Sequence, residues 1–237
     1  MSVYEKRLRL RSSDVDMFRR LRPSVLFGLM QEAAIAHTEQ LGMGRDKTLD
    51  RGILWVVTLQ TARITRMPEY DEEIVLRSWP GKTMHVLFPR FCALDTAAGE
   101  PLIRASALWT LVDADTRKLI FPDAYGIHVE GVVTGDEIDI PSAPRPLPCT
   151  QSRDFTVPYS YVDLNGHMNN TRYLDVAEDC IPAAASGVPL REVRTEFFRE
   201  APLGESFALR WGQDGGTWYL VGGEDRGFFR MNLTYGD

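Results

Sequence analysis

The sequence predicts an α+β fold made of two tandem copies of one unit, in which an antiparallel sheet of about five strands wraps around one long helix. Three observations predict this fold. Short runs alternate apolar and polar residues, as half-buried strands do. Each half has the order strand, turn, one helical run and then a set of strands, which is an α+β arrangement. Three segments also recur in the same order, which is typical of a duplicated domain.

The duplication rests on three pairs of similar segments. The pairs are Val15–Arg20 with Val162–His167, residues 71–79 with 204–211, and residues 104–110 with 230–236. The distance between the members of a pair shortens along the chain, so the first copy carries extra residues after its helix. We place these residues at 41–52, where they would form a longer helix end or a lid.

In the first copy, residues 3–11 alternate apolar and polar side chains and predict a strand. A helix is predicted over about Pro23–Leu41, because proline suits a first helical turn and apolar residues follow at intervals of three and four. Runs bounded by turn residues then predict four strands, at 54–66, 72–79, 85–95 and 101–113.

Residues 141–148 contain four prolines in eight positions, and such a segment cannot be a central strand or a helix. We therefore divide the chain into an N-terminal unit at 1–135, a linker at 136–150 and a C-terminal unit at 151–237. Strands of the second unit are predicted at 152–159, 192–200, 205–212, 217–225 and 228–235. The two antiparallel sheets can join edge to edge, which would cover exposed edges.

The composition is that of an ordinary globular protein, with 44% hydrophobic and 25% charged residues. A net charge of −6 argues against nucleic acid as the main partner. We expect neither a signal peptide nor a membrane span, because no apolar run is long enough. Three cysteines, an odd number, argue against a disulfide framework, so a cytoplasmic location is predicted.

The segment YVDLNGHMNNTRYLDVAEDCIP is the most informative part of the sequence. It places Asp163, Asn165 and His167 within five residues, just before a helix that Asn170 and Thr171 are predicted to cap. A carboxylate, an amide and an imidazole at a helix N-terminus suit acyl chemistry, because the first-turn N–H groups and the helix dipole stabilise developing negative charge.

A plain turn and a calcium loop are the two alternatives for the same residues. The dipeptide Asn165–Gly166 forms ordinary turns without any function. The D-x-N pattern also opens calcium loops. A calcium loop is excluded, because glycine falls at the fourth loop position and Leu174, which cannot bind calcium, falls at the twelfth.

The first copy lacks the polar residues of the second. The alignment of Val15–Arg20 with Val162–His167 sets Asn165 against Phe18 and His167 against Arg20. With the prolines of ITRMP and FREAP superposed, Glu200 falls against Arg66. A structural turn has no reason to keep an amide, an imidazole and a distant carboxylate in one copy only. The difference indicates one active site, in the C-terminal unit, and a lapsed site in the N-terminal unit.

The motif D-x-N-x-H-x-N-N-x-x-Y at Asp163–Tyr173 resembles that of the acyl-acyl-carrier-protein (acyl-ACP) thioesterases of bacteria and plant plastids. The resemblance covers essentially the whole chain and implies their double hotdog fold, with a helix wrapped by an antiparallel sheet in each unit. It implies hydrolysis of acyl-ACP to free fatty acid and carrier protein, with no cofactor. Acyl carrier protein, through its acyl-phosphopantetheine, would be the partner, and a monomer and a homodimer both remain open.

In that family the Asp, Asn and His of the motif and a later Glu are catalytic. The resemblance carries these roles to Asp163, Asn165, His167 and Glu200. The run Glu196–Ala201, EFFREA, aligns with the family pattern E-Y-R-R-E-C and keeps both glutamates and the second arginine. Ala201 stands where the family has cysteine. A nucleophilic role for that cysteine is therefore impossible here, and Cys180 on the apolar side of its helix suits a packed thiol.

Thioester hydrolysis needs an activated water, a polarised carbonyl and a proton for the leaving thiolate. We expect Glu200 to orient and deprotonate the water, with help from His167. Asn165 would fix the imidazole or donate to the oxyanion, beside backbone N–H groups at Gly166 and His167. Asp163 would stabilise the loop and the charge on His167.

The acyl chain needs an apolar pocket, which we place between the first helix and the following strand. The predicted lining is Phe27, Met30, Ala33, Ala34, Trp55 and Val57. Apolar residues at helical spacing are more often plain core, and that possibility stays open.

His37, His85 and His128 are scattered without metal-ligand spacing, and neither a metal nor an organic cofactor is expected. The sequence has no glycine-rich phosphate loop and no G-x-S-x-G motif. Arginines cluster before the first helix and again at 191–199, either as solvated surface or as a docking site for an acidic carrier.

Three further functions stay open. An acyl-CoA thioesterase would use the same chemistry with a different handle on the acyl group. A hotdog dehydratase needs only a His–carboxylate pair, which leaves Asn165 unexplained. A non-catalytic acyl-binding regulator should have lost the catalytic polar residues, which this chain keeps. The motif counts against a regulator, because motifs locate sites better than folds do.

Overall fold

The computed structural model describes residues 3–224 and 227–236. Ten strands are found in this part of the chain: β1 Tyr4–Arg9, β2 Ile53–Ile64, β3 Glu73–Pro80, β4 Phe88–Thr96, β5 Pro101–Asp113, β6 Gln151–Thr156, β7 Leu190–Phe197, β8 Ser206–Asp214, β9 Thr217–Gly222 and β10 Phe229–Tyr235. Every predicted strand is present, with ends shifted by a few residues. Asp225, the last residue of the strand predicted at 217–225, lies outside the described residues.

The strands form one continuous antiparallel sheet, in the order β1-β3-β4-β5-β2-β7-β10-β9-β8-β6. The α+β class is confirmed, but the two separate sheets of the prediction are replaced by two halves of one sheet. β2 pairs with β7 from Leu59 opposite Glu196 to Arg63 opposite Glu192. Each half would otherwise end in a row of unpaired N–H and C=O groups, so the predicted edge-to-edge joining satisfies both edges.

Helix α1, Pro23–Gln40, packs against the N-terminal half of the sheet and agrees with the prediction to within one residue. Pro23 occupies its first turn, where a missing N–H costs nothing. The helix ends at Leu41, whose N–H donates to the His37 carbonyl at 3.0 Å. One face of α1 is buried along its whole length, and this face carries Leu26, Phe27, Met30, Ala33, Ala34 and His37.

The second helix is shorter than predicted. Helix α2, Arg172–Cys180, has nine residues, and the one-turn helix α3, Pro182–Ala185, follows it. Ile181 between them is extended, because proline disfavours helical backbone in the residue before it and lacks the N–H that would continue α2. Among the residues that the structure describes, a long helix is therefore found in the N-terminal unit and not in the C-terminal unit.

Equivalent backbone hydrogen bonds make the duplication visible and correct its register. The matching bonds run from Leu21 N–H to Pro68 O and from Met168 N–H to Ala201 O, both at 2.8 Å. They set Pro68 against Ala201 and therefore Glu200 against Met67. The predicted match of Glu200 with Arg66 is wrong by one residue, because the two superposed prolines occupy different rungs of the backbone ladder. Met67 is apolar and buried, so the first copy still lacks a carboxylate here.

The proline-rich linker lies on the C-terminal unit without regular secondary structure. The side chain of buried Asn232 accepts the Arg145 N–H at 2.6 Å and donates to the Arg145 carbonyl at 3.1 Å. A Cβ on Gly212 of β8 would lie 2.1 Å from the Pro148 carbonyl oxygen. Glycine at 212 is thus required for the close approach of linker and sheet.

Residues 41–52 form neither a longer end of α1 nor a further strand. Two short 3₁₀ turns, Arg45–Lys47 and Leu49–Arg51, follow the helix there. A lid function for this segment stays a prediction. Among the described residues, no helix is both long and apolar enough to cross a membrane.

Glu178 on α2 gives the fold a pH dependence. Burial raises the pKa of its carboxyl from 4.5 to about 7, and the nearby acids Asp175, Asp16 and Asp179 add to the rise that Arg22 opposes. Between these two pH values the folded chain keeps a proton that the unfolded chain has released. The stabilisation is therefore complete below about pH 4.5 and is lost as the pH rises through about 7.

Glu178→Gln is expected to remove this dependence, because glutamine stays neutral at every pH. Relative to wild type, the variant should gain about 1–3 kcal/mol in free energy of unfolding at pH 8 and much less at pH 5. Urea unfolding at the two pH values measures the difference. An equal effect at both would show that the charge on Glu178 is not the cause.

Candidate active site

The motif of the C-terminal unit folds into a tight loop that Asp163 holds together. Its Oδ1 accepts the Asn165 N–H at 2.8 Å, and its Oδ2 accepts Nδ2 of Asn169 at 3.1 Å. The Asp163 N–H donates to the His167 carbonyl at 3.1 Å. Gly166 has φ +82°, a left-handed conformation that glycine adopts without steric cost. Asp163 thus supports the loop that presents His167.

Asn169 joins this loop to α2, and of the two predicted cap residues Thr171 occupies the N-cap position. Oδ1 of Asn169 accepts the Thr171 N–H at 3.0 Å and the Thr171 hydroxyl at 2.8 Å. Thr171 stands at the N-cap position, but its side chain caps no helix N–H. The hydroxyl is already committed to Asn169, and Asn170 precedes the cap position.

The loop brings His167 beside Glu200. Nε2 of the imidazole lies 3.4 Å from Oε1 of the carboxylate. His167 also forms a β-bridge with Pro202, and the Met168 N–H donates to the Ala201 carbonyl, so backbone contacts keep the two segments side by side. The His167 and Glu200 side chains are 19% and 37% exposed, so water can reach both. An accessible carboxylate against an imidazole is an arrangement suited to general-base chemistry.

Arg117 also contacts Glu200, and sequence reasoning missed it. Its Nε donates to Oε2 of the carboxylate at 3.1 Å. Arg117 lies in the turn after β5, in the N-terminal unit. The sequence identifies that turn from its Asp and Thr residues, but nothing in it indicates that the turn meets the other unit.

The predicted oxyanion donors and Asn165 differ in whether they are free to meet a substrate. The Gly166 N–H is not free for an oxyanion, because it donates to the Asp163 carbonyl at 3.0 Å within the turn. The His167 N–H has no acceptor among the described residues and stays available. The Asn165 side chain is exposed, and in the described part of the chain the hydrogen bond of this residue is that of its backbone N–H to Asp163.

The first copy repeats the loop with different side chains. The Phe18 N–H donates to Asp16 Oδ1 at 2.8 Å, as the Asn165 N–H does to Asp163. Arg20 replaces the imidazole, and its guanidinium bonds Asp16 Oδ2 at 3.1 Å and the Gly187 carbonyl at 3.0 Å. This arginine is thus a structural tie between the units rather than solvated surface.

All six residues predicted to line an acyl pocket are buried or half-buried, but they do not form one wall. Phe27, Met30 and Ala33 belong to the main hydrophobic core. Trp55 packs on a separate cluster, with its ring 4.8 Å from that of Phe88. The other two, Ala34 and Val57, are buried outside both clusters. Core packing of Phe27, Met30 and Ala33 does not test whether an acyl chain binds here, so the pocket stays a prediction.

Two polar side chains, His37 and Arg90, lie together at the C-terminal end of α1. His37 lies late in α1, where an imidazole often faces solvent, but here it is fully buried. Its Nδ1 is 3.2 Å from Nη1 of Arg90. Arg90 also donates to Ser78 at 3.3 Å and to Thr38 at 3.3 Å. Burial lowers the pKa of Arg90 to about 10. The buried face of α1 is thus apolar over most of its length and ends, at its last turn, against the guanidinium of Arg90.

Family models match both parts of the chain. The acyl-ACP thioesterase N-terminal domain matches residues 1–123, and the acyl-ACP thioesterase C-terminal domain matches residues 147–211. The chain belongs to the acyl-ACP thioesterase family.

Solved structures place this acyl-ACP thioesterase family member in the double hotdog fold. An acyl-ACP thioesterase from Bacteroides thetaiotaomicron matches with a TM-score of 0.83 and 17% identity, over 99% of this chain and 98% of that one. The 12:0-ACP thioesterase from Umbellularia californica matches with a TM-score of 0.82 and 20% identity, over 99% and 97%.

Curated relatives in the family are longer. A chloroplastic acyl-[acyl-carrier-protein] hydrolase of Cuphea viscosissima is 23% identical over 214 residues, which cover 84% of this chain and 52% of that protein. The chain thus spans about half the length of the curated relatives it matches.

The cysteines of this family member are poorly suited to act as nucleophiles. Cys92, Cys149 and Cys180 are all free thiols, and only Cys149 is exposed. Burial raises the pKa of Cys92 to about 12 and also raises the pKa of Cys180. Such thiols hold little of the reactive thiolate near neutral pH. Ala201, beside Glu200, is fully buried.

Proposed function

We propose that this chain hydrolyses the thioester of acyl-ACP to free fatty acid and carrier protein. The observation that carries this function is the contact between His167 and Glu200, 3.4 Å apart and partly exposed, in the unit that holds the family motif. Membership of the acyl-ACP thioesterase family supports the substrate class.

In the proposed reaction, Glu200 accepts a proton from water while the water oxygen attacks the thioester carbonyl carbon. His167 keeps the carboxylate in place through the Nε2–Oε1 contact. The carbonyl oxygen becomes an oxyanion, for which the His167 N–H is an unused donor. Collapse of the tetrahedral intermediate breaks the C–S bond, and the proton held by Glu200 passes to the leaving thiolate. Free acid and carrier thiol result, so atoms and charge balance.

Asn165 and Asp163 take supporting roles in this scheme. Asp163 holds the turn that presents the His167 N–H and imidazole on the same side as Glu200. Asn165 lies exposed at the tip of the same turn, so its amide would act on bound substrate rather than on the imidazole.

We also assign the reaction to the cytoplasm, with acyl-ACP as the partner. Three free cysteines favour a reducing compartment. The curated relative from Cuphea viscosissima is chloroplastic. Fractionation of cells that express this chain natively tests the cytoplasmic location.

Product analysis tests the function. Purified protein is incubated with medium-chain and long-chain acyl-ACPs, and free fatty acid and carrier thiol are measured together. Equal amounts of the two products are expected, and Glu200→Ala should abolish their formation. Binding without turnover would favour a regulator. Loss of water from a 3-hydroxyacyl-ACP with the thioester intact would favour a dehydratase.

A further inference from the structure

The N-terminal unit contributes a side chain to the site in the C-terminal unit. Arg117 Nε donates to Glu200 Oε2 at 3.1 Å, while the other carboxylate oxygen, Oε1, faces His167 at 3.4 Å. The carboxylate is thus held at both oxygens by side chains from two different units. The scheme of water activation uses His167 and Glu200 and leaves Arg117 without a role.

The turn that carries Arg117 is held by its own hydrogen bonds. Asp113 Oδ1 accepts the Thr116 N–H and the Thr116 hydroxyl, each at 2.7 Å, and these bonds lower the pKa of the Asp113 carboxyl. The Arg117 N–H donates to the Asp113 carbonyl at 2.9 Å. The Nη1 group of Arg117 donates to the Ala114 carbonyl, which fixes the guanidinium against the turn.

The backbone of Arg117 is in a conformation that costs free energy. Its φ of +57° is left-handed, a backbone conformation that is unfavourable for a residue with a Cβ. The geometry aims the guanidinium at Glu200. The ion pair itself returns little stability, because its side chains are 43% and 37% exposed and exposed pairs contribute little. Stability therefore does not account for the way the arginine is held.

We propose that Arg117 is a positioning residue that holds the Glu200 carboxylate in the orientation needed to take a proton from water. The inference rests on the proposed function. A carboxylate tied at one oxygen only can rotate away from His167, whereas a second donor at Oε2 restricts it to one orientation. The Nε bond uses one lone pair of Oε2 and leaves another for the water. The N-terminal unit, although its own site has lapsed, then completes the working one.

The competing role for Arg117 is to bind the phosphate of the carrier's phosphopantetheine arm. An arginine that acts on Glu200 changes the chemical step and therefore kcat. An arginine that binds phosphate in substrate and transition state alike changes KM. The two roles are separated by steady-state kinetics.

The test uses Arg117→Ala, Arg117→Lys and the matched control Lys118→Ala, a neighbouring residue of the same turn whose side chain does not contact Glu200. With acyl-ACP as substrate, Arg117→Ala is expected to lower kcat by about 10- to 100-fold with KM within about twofold, as misplaced catalytic groups do. Lysine at 117 should restore part of the loss. Lys118→Ala should match wild type, and thermal melting should show all variants folded.

A double-mutant cycle with Glu200→Gln gives the sharpest result. If Arg117 acts through Glu200, Arg117→Ala should cost almost nothing further in that background, because residues of one network are non-additive. Equal losses in both backgrounds, an effect on KM alone, or no effect of Arg117→Ala would each overturn the inference while the proposed function stands. A wild-type protein inactive on acyl-ACP would overturn both.

Discussion

Glu200→Gln is expected to lower kcat/KM for acyl-ACP by about 10²–10⁴-fold, the range that a general base contributes. Glutamine has nearly the same shape as glutamate and can still bond Arg117 and His167, but its amide cannot accept a proton from water. The loss should fall on kcat more than on KM, since the proton transfer belongs to the transition state. Steady-state release of carrier thiol measures both constants.

Glu205→Gln is the matched control for this substitution. Glu205 lies five residues farther along the chain, and its side chain pairs only loosely with Arg199, at 3.9 Å. Its neutralisation should leave kcat/KM within about twofold of wild type, as surface substitutions away from a site do. If Glu200→Gln retained wild-type activity within about threefold, Glu200 would not be the general base.

Phe229→Ala is expected to have the largest effect on stability, about 3–5 kcal/mol in free energy of unfolding. Phe229 is fully buried at the start of β10, and its ring centroid lies 4.5 Å from that of Tyr173 on α2. On its other side, Gly222 leaves the room that the ring fills, since a Cβ there would lie 2.4 Å from the ring. Alanine would leave a cavity between sheet and helix, which urea unfolding detects.

Phe121→Ala provides the comparison for this core substitution. Phe121 is 57% exposed, so removal of its ring should change the free energy of unfolding by less than about 1 kcal/mol. The Phe229 cavity also lies under the helix that follows the active-site loop. A loss of less than about 1 kcal/mol in Phe229→Ala would mean that β10 and α2 do not share one packed core.

Local patterns predicted most of the elements. Alternation of apolar and polar residues located the strands, and Pro23 with the apolar spacing after it located α1 almost to the residue. Both signals are local, because a strand or helix repeats its own geometry every few residues. The candidate site has a local signal for a related reason: a loop that holds an imidazole at a fixed place concentrates its polar residues in a short stretch.

Contacts between distant segments could not be predicted. Arg117 meets Glu200 only because β2 and β7 join the two halves of the sheet, and no local pattern encodes that pairing. The register that sets Met67 against Glu200 is likewise decided by backbone hydrogen bonds, whereas the sequence alignment followed a pair of prolines.

Burial also escaped prediction where the polarity of a residue was misleading. His37 is fully buried, with Arg90 of β4 against it, a contact that helical position alone does not reveal. The early end of α2 has a local signal in Pro182, because proline disfavours helical backbone in the residue before it.

Hydrolysis of acyl-ACP at Glu200 is best tested by kcat/KM for the same acyl chain carried on ACP and on CoA, with wild type and Glu200→Gln side by side. An acyl-ACP thioesterase should hydrolyse the carrier ester at least about tenfold more efficiently, since that preference needs only about 1.4 kcal/mol of extra contact with the carrier. The substitution should remove activity on both esters. Equal or better turnover of the CoA ester by wild type would contradict acyl-ACP as the preferred substrate. No turnover of either ester by wild type would contradict thioester hydrolysis at this site.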